Sequence, residues 1–189
     1  MRRGNGSVLL PSDFLDLGSR EGVDLALHRL TKKGRIRRLT RGVYDYPKIH
    51  PKLGPLWPSA ETVATALAGR DHTRLQPAGA YAANLLGLSE QVPARVVFLT
   101  DGPSRTVRIG PMVIQLRRTT PRNMAAAGRL SALVIQALRH LGKANVTEER
   151  IAHLKRSLPA AERGKLVRDI KLAPAWMHPI LRELGGGEA

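Results

Sequence analysis

An α+β fold is predicted for this chain of 189 residues, with a small N-terminal unit and a larger unit that ends in helices. Helical periodicity is clear at residues 19–33 and through most of the chain after residue 128. Short β-type runs bounded by Gly or Pro occur at residues 35–46 and 94–117. The hydrophobic content of 42% is enough to build a packed core.

The first fifty residues contain two helical segments. Ser12 begins a short predicted helix that ends at Gly18. Ser19 caps a second helix that runs to about Lys33. Two helices joined by a glycine-containing turn are typical of a helix-turn-helix. The apolar stripe of the second helix consists of Val23, Ala26, Leu27 and Leu30.

A strongly basic hairpin follows. Gly34 ends the second helix, and residues 35–39 and 43–46 are predicted to pair through a turn in which Gly42 is left-handed. Helix, turn, helix and basic hairpin in this order predict a winged helix-turn-helix DNA-binding domain over residues 1–48, although the helix that normally precedes the pair is missing or truncated. The predicted DNA-binding residues are Ser19, Arg20, His28, Lys32, Lys33, Arg35, Arg37, Arg38 and Arg41.

The composition agrees with a polyanionic partner. Lys and Arg total 31 against 15 for Asp and Glu, so the formal charge is +16 and the isoelectric point is about 11.4. Cysteine is absent, and no apolar run approaches the ~20 residues of a membrane span, so a cytoplasmic location without membrane association is expected. An RNA-associated or ribosome-associated basic protein is an alternative.

Residues 49–189 are predicted to form an α+β and helical domain, with the tail at residues 185–189 disordered. Four prolines between Pro47 and Pro58 indicate a stiff extended connection and the domain boundary. The predicted elements that follow are a helix capped by Ser59 and running to about Gly69, a helix at 77–86, a strand at 94–100 and a hairpin of 105–109 with 112–117.

Several motifs carry a family resemblance. They are Gly34-Arg35-Ile36, Gly42-Val43-Tyr44, Pro77-Ala78-Gly79, the run from Ala82 to Pro93, and Leu99-Thr100-Asp101-Gly102. Together they resemble the AbiEi-type antitoxins of type IV toxin-antitoxin systems, including a related group whose domain has no assigned function. The resemblance implies a winged helix that binds inverted repeats in its own promoter and represses the operon. It also implies that the remainder of the chain counters a cognate nucleotidyltransferase toxin.

No catalytic motif is present, so we expect no enzyme activity, cofactor or metal site. Asp101 follows a strand, but the later positions that a restriction-type nuclease would fill with a carboxylate and a lysine hold Gln115 and Arg117. Asp101 is therefore predicted to form a turn. The six histidines show no metal-ligand spacing. A stand-alone winged-helix transcription regulator without a toxin partner is the alternative function.

The last third is basic and helical. Helices are predicted at about 128–141, after Thr147, after Pro159 and from Pro179 to Leu184. Their outer faces carry cations that suit an acidic toxin or DNA that flanks the operator, or that form only a solvated surface. The predicted toxin-contact residues are Lys155, Arg156, Arg163, Lys165, Arg168 and Lys171.

Overall fold

The structure is a computed structural model that describes residues 4–186. It is a mixed α+β protein with small sheets and C-terminal helices, as the sequence predicts. Two compact units divide the chain: Met1–Thr73 with Thr106–Ile114, and Arg74–Arg105 with Gln115–Ala189. Across the described residues, no helix combines the length and the apolar character needed to cross a bilayer.

In the first unit, helix α1 (Arg20–Lys32) packs on a three-stranded antiparallel sheet whose strands, in spatial order, are β1 (Val8–Leu9), β3 (Val43–Asp45) and β2 (Arg37–Thr40). A small core of Leu9, Val23, Leu27, Ile36 and Tyr44 joins the helix to the sheet. The elements are β1 (Val8–Leu9), a 3-10 turn (Pro11–Phe14), α1 (Arg20–Lys32), β2 (Arg37–Thr40), β3 (Val43–Asp45), β4 (Ile49–His50), β5 (Gly54–Pro55) and α2 (Ala60–Asp71).

Two parts of this unit differ from the sequence predictions. The short helix expected from Ser12 is a four-residue 3-10 turn, Pro11–Phe14. At its N-terminus, the Leu10 N–H donates to the Asp13 carboxylate at 2.8 Å. The proline-rich connection forms a small antiparallel ladder of β4 with β5 and leads into α2. The first unit therefore extends beyond residue 48, where the sequence placed the boundary.

The second unit contains a four-stranded sheet whose strands, in spatial order, are β6 (Leu75–Ala78), β7 (Arg95–Thr100), β9 (Met112–Arg118) and β8 (Arg105–Ile109). Residues 106–114, at the end of its last hairpin, belong with the first unit. The elements of the second unit are β6 (Leu75–Ala78), α3 (Gly79–Leu85), β7 (Arg95–Thr100), β8 (Arg105–Ile109), β9 (Met112–Arg118), α4 (Pro121–Met124), α5 (Leu130–Leu141), α6 (Glu148–Ser157), α7 (Ala160–Arg168) and α8 (His178–Leu184).

Strand β6 includes Pro77 and Ala78, the first two residues of the helix that the sequence predicts at 77–86. It pairs antiparallel with β7, and Gln76 lies opposite Leu99. The buried Gln76 amide donates to the Pro77 carbonyl and accepts from the Gly128 N–H at 3.2 Å. Long-range pairing thus keeps these residues extended, and Gly79, with φ of 61°, turns the chain into α3.

A helical core holds the second unit together. Helix α5 is largely buried, and Val134 and Leu138 on it have no solvent exposure. The later helices cover it with side chains at helical spacing. Five of these side chains are fully or almost fully buried. They come from α6, α7 and the residues after α7, and they are Leu154, Leu166, Met177, Leu181 and Leu184.

The segment after α3 has a structural role. The Asn84 side chain donates to the carbonyls of Ser89 and Gln91 at 3.1 and 3.2 Å, and so closes the loop. Gly87 is left-handed, with φ of 67°, and a Cβ there would lie 2.9 Å from His153 Nε2. The same nitrogen makes a 3.0 Å hydrogen bond with the Leu86 carbonyl.

Gly87→Ala is expected to destabilise the second unit by more than about 1 kcal/mol, because alanine is disfavoured at positive φ and its methyl group displaces His153. Urea denaturation followed by circular dichroism measures the loss. Gly34→Ala is the control for backbone strain alone, because Gly34 closes α1 with the same bond pattern by which Gly87 closes α3, at a φ of 66° and with open space around the new Cβ. An equal or larger loss for Gly34→Ala would contradict the close approach at His153.

The C-terminal tail is described only in part. Gly185 and Gly186 form the turn that closes α8, and the Gly185 N–H donates to the Leu181 carbonyl at 3.0 Å. A Cβ on Gly185 would lie 2.6 Å from Val167 Cγ2, so this residue packs against α7. Disorder was expected from residue 185 onward, and residues 187–189 lie outside the described part of the chain.

Candidate nucleic-acid interface

Helix α1 has well-defined ends. The Ser19 hydroxyl accepts from the Gly22 N–H at 3.2 Å, which confirms the predicted cap. At the other end Gly34 is left-handed, and the Arg35 N–H donates to the Leu30 carbonyl at 3.0 Å. This bond pattern is a Schellman motif, and it sets the direction in which the chain leaves α1 for the hairpin.

The two halves of the exposed face of α1 differ in charge. Near the N-terminus, Arg20 forms an ion pair with Asp24 at 3.0 Å, and Glu21 is exposed beside them. Near the C-terminus, His28 and Lys32 are exposed, and no acidic residue occurs after Asp24 in the helix. The C-terminal half of α1 is therefore the part of this face that suits a polyanion.

The apolar face of α1 is only partly covered. Val23 and Leu27 are buried as predicted, but Leu30 remains 40% exposed, and Leu17 is 77% exposed. An open apolar cleft of about 860 Å³ lies along these side chains. A four-residue 3-10 turn is too short to cover a helix of 13 residues, which explains the cleft.

The predicted hairpin is present. Strands β2 and β3 pair antiparallel, with Arg38 opposite Tyr44, and a bulge interrupts the register between Arg38 and Thr40. Gly42 is left-handed, with φ of 69°, in the turn between the strands. Strand β3 is buried and β1 covers its other edge, so the basic strand β2 lies at an edge of the sheet.

Arg37 points into the protein, although the sequence assigned it to DNA phosphates. Its Nε and Nη2 donate to the two carboxylate oxygens of Asp45 at 3.1 and 2.6 Å, and Nη2 also donates to the Leu56 carbonyl at 2.7 Å. The guanidinium lies over the Trp57 ring, 3.9 Å from its centroid. Asp45 is 1% exposed, so Arg37 neutralises a buried charge.

The other basic residues of this region are exposed. Residues 29–41 contain seven Lys or Arg and no Asp or Glu. Apart from Arg37, none of these cations has an ion-pair or side-chain hydrogen-bond partner within residues 4–186. The free cations at the end of α1, in the following turn and on the hairpin are Arg29, Lys32, Lys33, Arg35, Arg38 and Arg41; they are called the cationic patch below.

The predicted toxin-contact cations of the second unit divide into two groups. Lys155 pairs with Glu183 at 2.9 Å, Lys165 pairs with Glu162, and the Nε atom of Arg163 is buried. The remaining three are exposed and have no such partner in the described part of the chain. They are Arg156, Arg168 and Lys171.

Asp101 takes part in a structural interaction. Its carboxylate accepts from the backbone N–H and the Nε of Arg74, both at 2.8 Å. The Arg74 side chain, its backbone N–H and its charge hold the pKa of Asp101 below the ordinary value. Among the described residues, no group of three or more His, Asp or Glu could hold a metal ion.

A protein-family model matches most of the chain. The family of unknown function DUF6088 matches residues 1–166, which is most of the chain. The chain belongs to the DUF6088 family. The DUF6088 match includes α1, the hairpin and the four-stranded sheet, and it ends within α7. It assigns no activity to any of them.

Other comparisons add little to the DUF6088 assignment. No curated protein matches the chain. A crystal structure of the RV2827C protein from Mycobacterium tuberculosis is similar at a TM-score of 0.49 and 17% identity, over 96% of this chain and 73% of that one. A likeness at this level carries no argument about function.

The sequence reasoning missed Asp45 and Trp57 in this DUF6088 chain. Asp45 is the last residue of β3, and Trp57 lies in the proline-rich connection. A Cβ on Gly110 would lie 2.6 Å from Trp57 Cε2, so the ring also packs against this glycine. The sequence feature that could have indicated this pair is Asp45 itself, an acidic residue in a strand that is otherwise apolar and aromatic. Such a residue needs a cationic partner when it is buried.

Proposed function

We propose that this protein binds duplex DNA through the C-terminal half of α1 and the β2–β3 hairpin, in the manner of a winged helix, and represses its own operon. The observation that carries the proposal is the cationic patch. Six exposed cations that have no ion-pair or side-chain hydrogen-bond partner among residues 4–186 lie within residues 29–41, a segment without Asp or Glu. Such a surface attracts phosphates and releases counterions when it binds them.

The arrangement suggests how the contacts are divided. His28 and Lys32 lie seven and eleven residues after Glu21, on the same exposed side of α1, and are the candidates for contacts in the major groove. Arg35, Arg38 and Arg41 are the candidates for phosphate contacts. Ser19 and Arg20 are already engaged within the helix and are the weakest members of the predicted set.

The antitoxin role is the second part of the proposal. Its support is the resemblance of the Ala82–Pro93 motif and its neighbours to AbiEi-type antitoxins. The loop-closing contacts of Asn84 favour a structural role for that motif. Arg156, Arg168 and Lys171 are therefore the candidates for contact with an acidic toxin surface. A transcription regulator without a toxin is the alternative.

Electrophoretic mobility shift with the full chain tests the DNA-binding proposal. We expect a duplex from the promoter of its own gene to bind at least about tenfold more tightly than a shuffled duplex of equal length and composition, since specific sites exceed non-specific ones by larger factors. An RNA duplex of the same sequence is the control for binding by charge alone. Equal affinity for all three would contradict the repressor and favour a general RNA-associated or DNA-associated basic protein.

Co-expression with the product of the adjacent gene tests the antitoxin role separately. Rescue of growth from a toxic nucleotidyltransferase by this chain would support it. A harmless neighbour, together with intact promoter binding, would favour the stand-alone regulator.

A further inference from the structure

A second cationic site lies in the second unit. It is a cavity of about 300 Å³ between one face of the sheet and the helices α4 and α5. Ala78 and Leu99 form its apolar floor, since they lie on neighbouring strands β6 and β7 and share a core cluster. Its polar lining consists of Arg117, Thr119, Asn123, Gln136, Arg139 and His140.

The polar groups of this cavity form an ordered chain. The Asn123 amide donates to Thr119 Oγ1 at 2.8 Å and accepts from Arg139 Nη1 at 3.2 Å. Arg139 Nη2 donates to the Leu172 carbonyl at 3.4 Å. In this bond Thr119 Oγ1 is the acceptor, and its hydroxyl hydrogen can donate to a ligand in the cavity. These contacts hold Thr119, Asn123 and Arg139 in place before any ligand arrives.

Donors exceed acceptors in this cavity. Arg117 and His140 are exposed, and neither has an ion-pair or side-chain hydrogen-bond partner among residues 4–186. An arginine has five N–H donors and no acceptor. None of the residues that line the cavity is a carboxylate. A ligand that fits must therefore bring several acceptor oxygens and negative charge.

We propose that this cavity binds the phosphoryl group of a small phosphorylated ligand. Arg117 supplies the bidentate contact that suits a phosphate, and Thr119, Arg139 and His140 supply further donors. The apolar floor formed by Ala78 and Leu99 accommodates the uncharged part of the ligand. The cavity volume lies at the lower end of the range for small-molecule sites, about 300–1,000 Å³, which fits a ligand of mononucleotide size.

This site is independent of the cationic patch. All its residues belong to the second unit, whereas the patch belongs to the first. A failure of DNA binding would leave the phosphate site untouched, and the reverse also holds.

Isothermal titration calorimetry on the full chain tests the proposal with inorganic phosphate, 5′-AMP and adenosine. We expect 5′-AMP and phosphate to bind and adenosine not to bind. Arg117→Gln is expected to weaken 5′-AMP binding about tenfold or more, because it removes a charge-assisted bidentate contact. Arg118→Gln is the matched control, since it removes the same charge from the adjacent exposed residue, which lies outside the cavity.

Several results would overturn the assignment. One is the absence of any heat of binding for phosphate and 5′-AMP at millimolar concentration. A second is an equal loss for Arg117→Gln and Arg118→Gln, which would indicate attraction by net charge. A third is binding of a 5′-phosphorylated oligonucleotide but not of 5′-AMP, which would make the cavity a nucleic-acid end site. Circular dichroism of both variants confirms that they are folded.

Discussion

Arg37→Leu is expected to lower the free energy of unfolding of the first unit by about 3–5 kcal/mol, the usual cost of removing one partner from a buried ion pair. Asp45 has 1% exposure and loses the guanidinium that donates to both its oxygens. The Leu56 carbonyl loses its hydrogen bond from Arg37, and the Trp57 ring loses its cation–π contact with the guanidinium. Each of these losses destabilises the folded unit. Native-state hydrogen exchange of the α1 and β3 amides measures the destabilisation within this unit.

Two further variants make this prediction specific. Arg38→Leu changes the neighbouring exposed residue on the same strand. Its free energy of unfolding is expected to differ from that of the unmodified protein by no more than about 0.5 kcal/mol, as is usual for surface substitutions. The double variant Arg37→Leu with Asp45→Leu removes both charges and is expected to regain much of the loss. Equal effects of the two single variants, or a double variant worse than Arg37→Leu, would contradict the structural role.

The role of Arg37 changes how DNA-binding experiments should be designed. A variant that removes Arg37 weakens the hairpin itself, because the residue ties β2 to Asp45 and to the Leu56 carbonyl. Loss of DNA binding by such a variant would therefore not identify a phosphate contact. The proposed phosphate contacts are better tested at cations that have no partner among the described residues 4–186.

Arg35→Gln, Arg38→Gln and Arg41→Gln in one variant are expected to weaken promoter binding on the order of 100-fold at 0.15 M salt. Each phosphate contact adds about 0.9 to the slope of log affinity against log salt. Relative to 1 M salt, one contact therefore raises the affinity about fivefold at 0.15 M, and three contacts raise it on the order of 100-fold. Three lost contacts therefore reduce the slope by about 2.7. Fluorescence anisotropy with a labelled duplex over a series of salt concentrations measures both quantities.

The matched control removes three charges from the other unit. Arg156→Gln, Arg168→Gln and Lys171→Gln change exposed cations that have no ion-pair partner within residues 4–186. The control variant has the same net charge as the hairpin variant but keeps the hairpin cations. We therefore expect it to keep most of the affinity for the duplex and most of the slope of log affinity against log salt. Equal losses in the two variants would show that binding follows net charge, and would contradict a local contact at the hairpin.

Local signals predicted most of the secondary structure. Ser19, Ser59 and Thr147 each cap the helix that the sequence assigned to them. Gly42 and Gly110 are left-handed in the turns where hairpins were predicted. Caps and tight turns depend on a few adjacent residues, so these elements can be predicted without knowledge of the fold.

Predictions that depended on distant partners were less successful. The helix expected from Ser12 is a single 3-10 turn, and Pro77 and Ala78, predicted to begin a helix, are extended because they pair with β7. Of the four hairpin arginines, Arg37 pairs with Asp45, whereas the other three have no ion-pair or side-chain hydrogen-bond partner in the part of the chain that the structure describes. The sequence shows identical side chains at these positions and cannot distinguish them.

By itself, the sequence determined the α+β class, the capped helix α1, the basic hairpin and the large positive charge, because these depend on composition, periodicity and neighbouring residues. Only the tertiary structure decided which cations are available to a ligand. Asp45 draws Arg37 inward because a buried carboxylate requires a partner, and the packing of α4 and α5 on the sheet gathers Arg117, Arg139 and His140 around one cavity. The availability of a charge is set by what lies next to it in space, and residues far apart in the chain supply those neighbours.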